Sequence, residues 1–235
     1  MDGVKIVPLG QLDFRLVDWK WPFATNRHAE ISAHFDELKR KNDALWNGRV
    51  FLLRGYEISG RLMRGDFFET DFASLMAWRD WGFPDRTVHA CFAMAAVEGT
   101  DRGFLLGIMG DHTANPGVAY FPTGTPDHSD LDGEAVDFDA SVNRELKEET
   151  GFSVNRFRAE AGWQAVFTGQ QIAVIKRLYA LETAEELRER ARAFLARETQ
   201  PEFSDICVLH GPDDLGLTMP RYVRYFLERA WGEKA

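Results

Sequence analysis

The chain has 235 residues, 45% hydrophobic and 13% aromatic, which suits one decorated domain or a core domain with a smaller partner and excludes a disordered protein. Its 28 Lys and Arg against 37 Asp and Glu leave a net charge of −9, and no basic stripe of the kind that binds a nucleic-acid backbone stands out. A phosphate ligand would therefore need positive charge supplied locally, by a few Arg side chains or a bound cation.

The first residues, MDGVKIVPLG, lack a basic stretch followed by an apolar one. The longest apolar run, Ala90–Val97, falls far short of the roughly 20 residues of a membrane span. A soluble cytoplasmic protein with no membrane partner is expected. Val4–Trp21 alternates in short bursts, and an amphipathic helix capped by Thr25 or Asn26 is predicted from His28 to Leu45, with Ile31, Phe35 and Leu38 on one face. Arg49–Leu53 and Arg61–Phe68 read as strands around a turn at Ile58–Gly60. Asp71–Asp80 reads as a helix stopped by Gly82 and Pro84.

Residues 82–86 mark the expected boundary between an N-terminal α+β segment (1–85), which shapes specificity or offers a surface for a homodimer, and a second domain (86–235). Strands follow at Thr87–Val97, Phe104–Gly110 and Val118–Phe121, then a Pro/Gly/Asp loop over 122–137. Asp137 caps a helix over Phe138–Thr150, which Gly151 ends. Strands at Phe157–Phe167 and Gln171–Leu181, a helix to about Arg197 opened by the capping pair Thr183 and Glu186, a strand at Phe203–Leu209 and a helix at Pro220–Trp231 complete the chain. This order argues for an α/β sandwich on a mixed sheet. Cys91 and Cys207, far apart and without CxxC spacing, are expected as free core thiols.

One stretch stands apart: Arg144-Glu145-Leu146-Lys147-Glu148-Glu149-Thr150-Gly151-Phe152. On a helix, Glu145, Glu148 and Glu149 lie at i, i+3 and i+4 and project toward one side. Carboxylates that close repel one another and need a counter-charge. Oxygen-only ligands on neighbouring turns suit Mg²⁺ or Mn²⁺, and Arg144 can hold one glutamate through a bidentate contact. A merely solvated, charged helix would have the same composition. It would not reproduce a known pattern at every fixed position.

The segment resembles the second half of the Nudix box, R-E-hydrophobic-x-E-E-x-G-hydrophobic, through Arg144, Glu145, Leu146, Glu148, Glu149, Gly151 and Phe152. A chance match of five fixed identities is about one in a million per window. The resemblance covers residues 87–232 and implies a Nudix-type α/β/α sandwich on a mixed sheet, here with an N-terminal α+β extension. The first half of the box departs from the family. Pro122-Thr123-Gly124-Thr125-Pro126 stands where Pro-Gly-Gly is usual, and Arg144 comes where the family spacing would reach 138, so the loop is six residues longer. Either Asp130, by counting from Gly124, or Glu134, in the pair Gly133-Glu134, takes the place of the upstream glutamate.

What the resemblance implies is Mg²⁺-dependent hydrolysis (Mn²⁺ serving equally) of a nucleoside diphosphate linked to another moiety. Glu145, Glu148 and Glu149 are the implied metal ligands with the backbone carbonyl of Thr123, and Arg144, Glu145 and Glu149 the implied catalytic residues. A looser likeness to the branch acting on UDP-sugars points to a nucleotide sugar. A later acid, Glu198 or Glu202, is the candidate for a further carboxylate. The competing readings are a Nudix-fold module that binds nucleotides without cleaving them, and an interaction module whose acidic helix is plain surface. Outside the box, Trp78-Arg79-Asp80-Trp81 and Leu45-Trp46-Asn47-Gly48 offer aromatic faces and an arginine for a base, sugar or phosphate, or else fill a seam between segments. His112, in a turn, is either a substrate contact or a solvated loop residue.

Overall fold

The computed structural model describes residues 3–232; Met1 and Asp2, on which part of the N-terminal reading rests, lie outside them. In chain order the elements are β1 (Val4–Leu9), β2 (Gln11–Leu16), α1 (Pro22–Asn26), α2 (His28–Lys41), β3 (Arg49–Ser59), β4 (Leu62–Asp71), α3 (Phe72–Asp80), β5 (Ala90–Glu98), β6 (Phe104–Met109) and β7 (Ala119–Tyr120). There follow β8 (Leu131–Asp132), β9 (Ala135–Val136), α4 (Phe138–Thr150), β10 (Arg158–Ala159), β11 (Trp163–Thr168), β12 (Gln171–Tyr179), α5 (Ala184–Leu195), β13 (Phe203–Leu209) and α6 (Arg221–Gly232).

The larger sheet runs β1-β11-β12-β5-β6-β13, with β10 beside β12 and β7 beside β6. β5 and β12 pair in parallel at its centre, and their other partners run antiparallel, which makes the sheet mixed. Alternation along β5 shows why helices cover both faces. Cys91, Ala93, Ala95 and Val97 pack with Val142 and Leu146 of α4 and Leu187 and Leu195 of α5. The intervening Met94 and Ala96 pack with Val223, Phe226 and Leu227 of α6. The result is the α/β/α sandwich that the sequence implies. Both cysteines are free: Cys91 is buried and Cys207 half-buried, and burial pushes their thiols up, that of Cys207 to about 11.

A second sheet, β3-β4-β2-β9-β8, holds β2 and β4 in parallel. It corrects the expected loop over 122–137, which contains a 3₁₀ turn (His128–Asp130) and the β8–β9 hairpin. Strands of two residues are too short to leave a periodic signal. The boundary at 82–86 does not divide the sheets. β1 lies on the edge of the larger one, six residues of it paired with β11, while β9 joins β2, where the Leu16 N–H donates to the Glu134 carbonyl at 2.8 Å.

Other boundaries move for local reasons. α2 is capped by neither Thr25 nor Asn26, and it ends at Lys41 because Asn42 turns extended and donates its side-chain amide to the His112 and Thr113 carbonyls. β3 and β4 extend well past the expected strands into one long hairpin. Phe157–Phe167 is not continuous: Gly162, at φ +83, breaks β10 from β11. A Cβ at Gly162 would also stand 2.2 Å from the Leu9 carbonyl oxygen, so any other residue there would strain the β1 edge. Among the described residues no helix is long and apolar enough to cross a membrane.

Candidate active site

α4 carries the acidic segment, and its sequence fixes its length and its rotation. The Asp137 side chain accepts from the N–H groups of Asp139 and Ala140, and Gly151 takes the left-handed φ of 75° at the other end. Phe138, Val142 and Leu146 point into the core at i, i+4 and i+8. Glu145 and Glu149 lie one step around from that stripe, so apolar packing drags them inward to 7% and 3% exposure. Glu148 lies on the outer flank with its side chain 61% exposed. The expectation that three carboxylates share one side holds for two; the third reaches back toward Arg144.

Arg144 is the hub. Its Nη2 donates to Asp130 Oδ1 at 2.8 Å, and its Nη1 lies 2.7 Å from Glu145 Oε1 and 3.3 Å from Glu148 Oε2. Asp130, its side chain wholly buried, also accepts from the Asp127 N–H at 3.1 Å within a reciprocal capping box. Asp130 is thus the upstream acid facing Arg144. Glu134 is exposed and lines a separate cavity of about 580 Å³ with Trp19 and Lys20, away from α4. Thr123 donates its N–H to Glu149 Oε2 at 2.9 Å and its hydroxyl to the Ala93 carbonyl at 2.6 Å.

The carboxylates are held at electrostatic cost. Burial pushes Glu145 up to about 7 despite the pull of Arg144, with Glu148, Glu202 and Asp130 adding to the rise. Burial, with Glu145 and Glu202 nearby, drives Glu149 well above the usual carboxylate range against the single N–H of Thr123. Burial works to lower Arg144, and the carboxylates of Glu145, Asp130 and Glu148 outweigh it, so its guanidinium is held charged.

A cleft of about 560 Å³ is lined by Thr123, Gly124, Arg144, Glu145, Glu148 and Glu202 among others, while Asp130 and Glu149 are buried behind Arg144 and Thr123, which they bond. Of the two later acids, Glu202 lines the cleft and acts on both buried glutamates, whereas Glu198 sits in the turn after α5. The N-terminal segment supplies much of the rest, through Trp46, Phe72, Met76 and Arg79. The two tryptophans of the Trp-Arg-Asp-Trp stretch pack within the N-terminal segment itself. Trp78 is wholly buried against Trp21 and Phe83, and Trp81 carries the Arg27 guanidinium 4.1 Å from its ring. Arg79 between them, and His112, reach the cleft. Tyr222 also lines it, and nothing in its amphipathic helix distinguished it from core.

The donor set fits a hard divalent cation: oxygen-only, concentrated, and short of positive charge at Glu149. In the conformation described, no group of three His, Cys, Asp or Glu side chains among the described residues forms a ready-made cage. Arg144 and Thr123 occupy the carboxylates instead, and Glu148 is turned outward. Gly124 is part of the cradle, because a Cβ there would stand 1.9 Å from Glu145 Oε1. Gly124→Ala is therefore expected to displace Glu145 and weaken Mn²⁺ binding at least tenfold at nearly unchanged melting temperature, read by calorimetric titration beside thermal denaturation.

A pH dependence follows. A carboxyl whose folded value is raised from 4.5 to about 7 binds a proton in the folded state that the unfolded state has released. Its stabilising protonation is complete below about pH 4.5 and is lost as pH rises through 7. The metal-free protein is expected to lose about 2 kcal/mol between pH 5 and pH 7.5 through Glu145 alone, measured by urea denaturation in EDTA. Glu145→Gln should flatten that slope.

No family model and no curated protein matches the sequence. Solved structures do match in backbone course. A MutT protein from Methanosarcina mazei Go1 aligns at 19% identity and a TM-score of 0.41, covering 62% of this chain and 96% of that one. A Nudix hydrolase from Nitrosomonas europaea aligns at 13% identity and 0.40, covering 62% and 91%. Shewanella oneidensis NrtR, complexed with a 27mer DNA, aligns at 15% identity and 0.40, covering 60% of each chain. Over about 60% of its length the chain is structurally similar to Nudix hydrolases.

Proposed function

We propose that the protein is a divalent-metal-dependent hydrolase of the diphosphate bond in a nucleoside diphosphate joined to another group, with a nucleotide sugar as the foremost substrate. The observation that carries this reading is the buried pair Glu145 and Glu149, 7% and 3% exposed, with less positive charge around them than their burial demands, Glu145 lining the cleft and Glu149 held just beneath it by Thr123. Glu145, Glu148 and Glu149 would hold Mg²⁺ or Mn²⁺, with the Thr123 carbonyl as a backbone ligand. The bound cation supplies charge neutralisation for the diphosphate and acidifies water.

The chain's own residues do the rest. Arg144, anchored on buried Asp130, fixes Glu145, and the Thr123 N–H fixes Glu149, so both carboxylates are oriented before substrate arrives. Glu202 comes from a different element, is exposed, and lines the same cleft, so it can accept a proton from water and pass it to solvent. The test is a panel of UDP-sugars, ADP-ribose, dinucleoside polyphosphates and coenzyme A, incubated with Mg²⁺ and then with EDTA. Metal-dependent cleavage of a diphosphate compound is expected. Binding without cleavage under any metal condition would support a nucleotide-binding module instead, and neither binding nor cleavage would leave the site without a diphosphate ligand.

A further inference from the structure

We infer that the part of the cleft built by the N-terminal segment is a nucleoside chamber, in which Trp46 stacks a planar base and Arg79 and Asn115 donate hydrogen bonds to its carbonyl-bearing edge. This rests on the reading of the cleft as a diphosphate site and names the other half of that substrate. Trp46 is 79% exposed although it lines the cleft. Its ring is seated against backbone: a Cβ at Gly48 would stand 2.4 Å from Cζ3 and 2.8 Å from Cε3. An indole held against a glycine and otherwise open to a cleft is a stacking platform, since every base has a π face.

The arginines of the cleft are not equivalent. Arg49 is engaged by Glu69 at 2.6 Å and Arg144 by Asp130 and Glu145. Arg79 donates Nε to Asp80, which does not line the cleft, and Nη1 to Asn115 Oδ1 at 3.3 Å. A guanidinium only donates, so Asn115 turns its oxygen to Arg79 and keeps its NH₂ as a donor. Tyr120, Tyr222 and Phe92 line the same cleft, and Phe92 packs on Tyr222 at 5.3 Å between ring centroids. An aromatic face and two donor groups in one cleft match a base with ring carbonyls, as in uracil or guanine. They match less well the amino edge of adenine or cytosine.

The experiment is equilibrium binding of UMP, GMP, AMP and CMP to the full chain, by calorimetry in EDTA and again with Mg²⁺. UMP and GMP are expected to bind at least tenfold more tightly than AMP and CMP. Trp46→Ala should weaken all four about tenfold, with Trp46→Phe recovering most of the loss. Arg79→Ala should abolish the preference between the two pairs. Trp46 is exposed, so loss of fold does not explain a weakened Trp46→Ala, and circular dichroism checks Arg79→Ala. Equal affinity for the four nucleotides, an unchanged Trp46→Ala, or no binding in either condition overturns the inference. Because binding is read without turnover, Trp46-dependent binding with no hydrolysis removes the enzymatic reading alone. Hydrolysis indifferent to Trp46 and Arg79 removes the chamber alone.

Discussion

Glu149→Gln is expected to lower turnover by about 10³-fold or more while making the metal-free protein more stable. The two effects have one cause. Glu149 is 3% exposed, and its burial together with Glu145 and Glu202 disfavours its charge. Its counterweight in the fold is the Thr123 N–H at 2.9 Å, which a glutamine carbonyl can accept equally well. Gln therefore keeps the shape and the hydrogen bond and removes the charge. At pH 8 ionising Glu149 costs the folded chain more than the unfolded one, so the substitution should raise the melting temperature there, by about 2–4 °C for each kcal/mol relieved in a chain of this size. A cation would lose a ligand charge from its centre, and the loss belongs to kcat more than to KM. Thermal denaturation in EDTA and single-turnover kinetics with Mg²⁺ measure the two halves. A variant that is both less stable and fully active would show that Glu149 is structural.

Arg144→Ala should act in the opposite direction on stability. It strips the cation from Asp130, whose side chain is wholly buried, and leaves a charge with only the Asp127 N–H for company. Breaking a buried pair from one side typically costs about 3–5 kcal/mol. The double variant Arg144→Ala/Asp130→Asn should recover a good part of that loss, since both partners are then neutral. Arg144→Lys should recover less, because one ammonium cannot span Asp130, Glu145 and Glu148 as the two Nη atoms do. Urea denaturation of the wild type, Arg144→Ala, Asp130→Asn and the double variant at one pH settles the cycle, with Arg144→Lys measured beside them. Additive losses would mean that the Asp130–Arg144 contact at 2.8 Å carries no coupling.

Much of the sandwich was legible because its elements carry strong local signals. α4 announces both ends through Asp137 and Gly151, and α5 through Thr183 and Glu186, whose side chain meets the Thr183 N–H. The second sheet was not legible, since β8 and β9 are two residues each and are stabilised by β2, more than a hundred positions away. In the site, Arg144 and the glutamates could be named from spacing, but their roles could not be ranked. Helical periodicity alone places Glu148 beside the others; the structure separates it, because Val142 and Leu146 set the rotation of α4 and bury Glu145 and Glu149 instead. Asp130 and Glu134 differed in nothing that a sequence shows. A hairpin turn carries Glu134 outward, and a 3₁₀ capping box holds Asp130 inward. Trp46 and Trp78 likewise looked alike, and only packing makes one a cleft wall and the other core.

The central claim is that an acidic chain makes a site for a diphosphate by drawing a cation onto buried carboxylates. The most direct measurement is a calorimetric titration of the metal-free protein with Mn²⁺ at pH 6.5, in two buffers of different ionisation enthalpy. Glu145 is pushed up to about 7, so it carries a proton in much of the metal-free protein at that pH. Saturable binding that releases protons is expected, with the release diminished in Glu145→Gln and in Glu149→Gln. Mn²⁺ that fails to saturate at millimolar concentration, or that binds with no proton released, would contradict the claim.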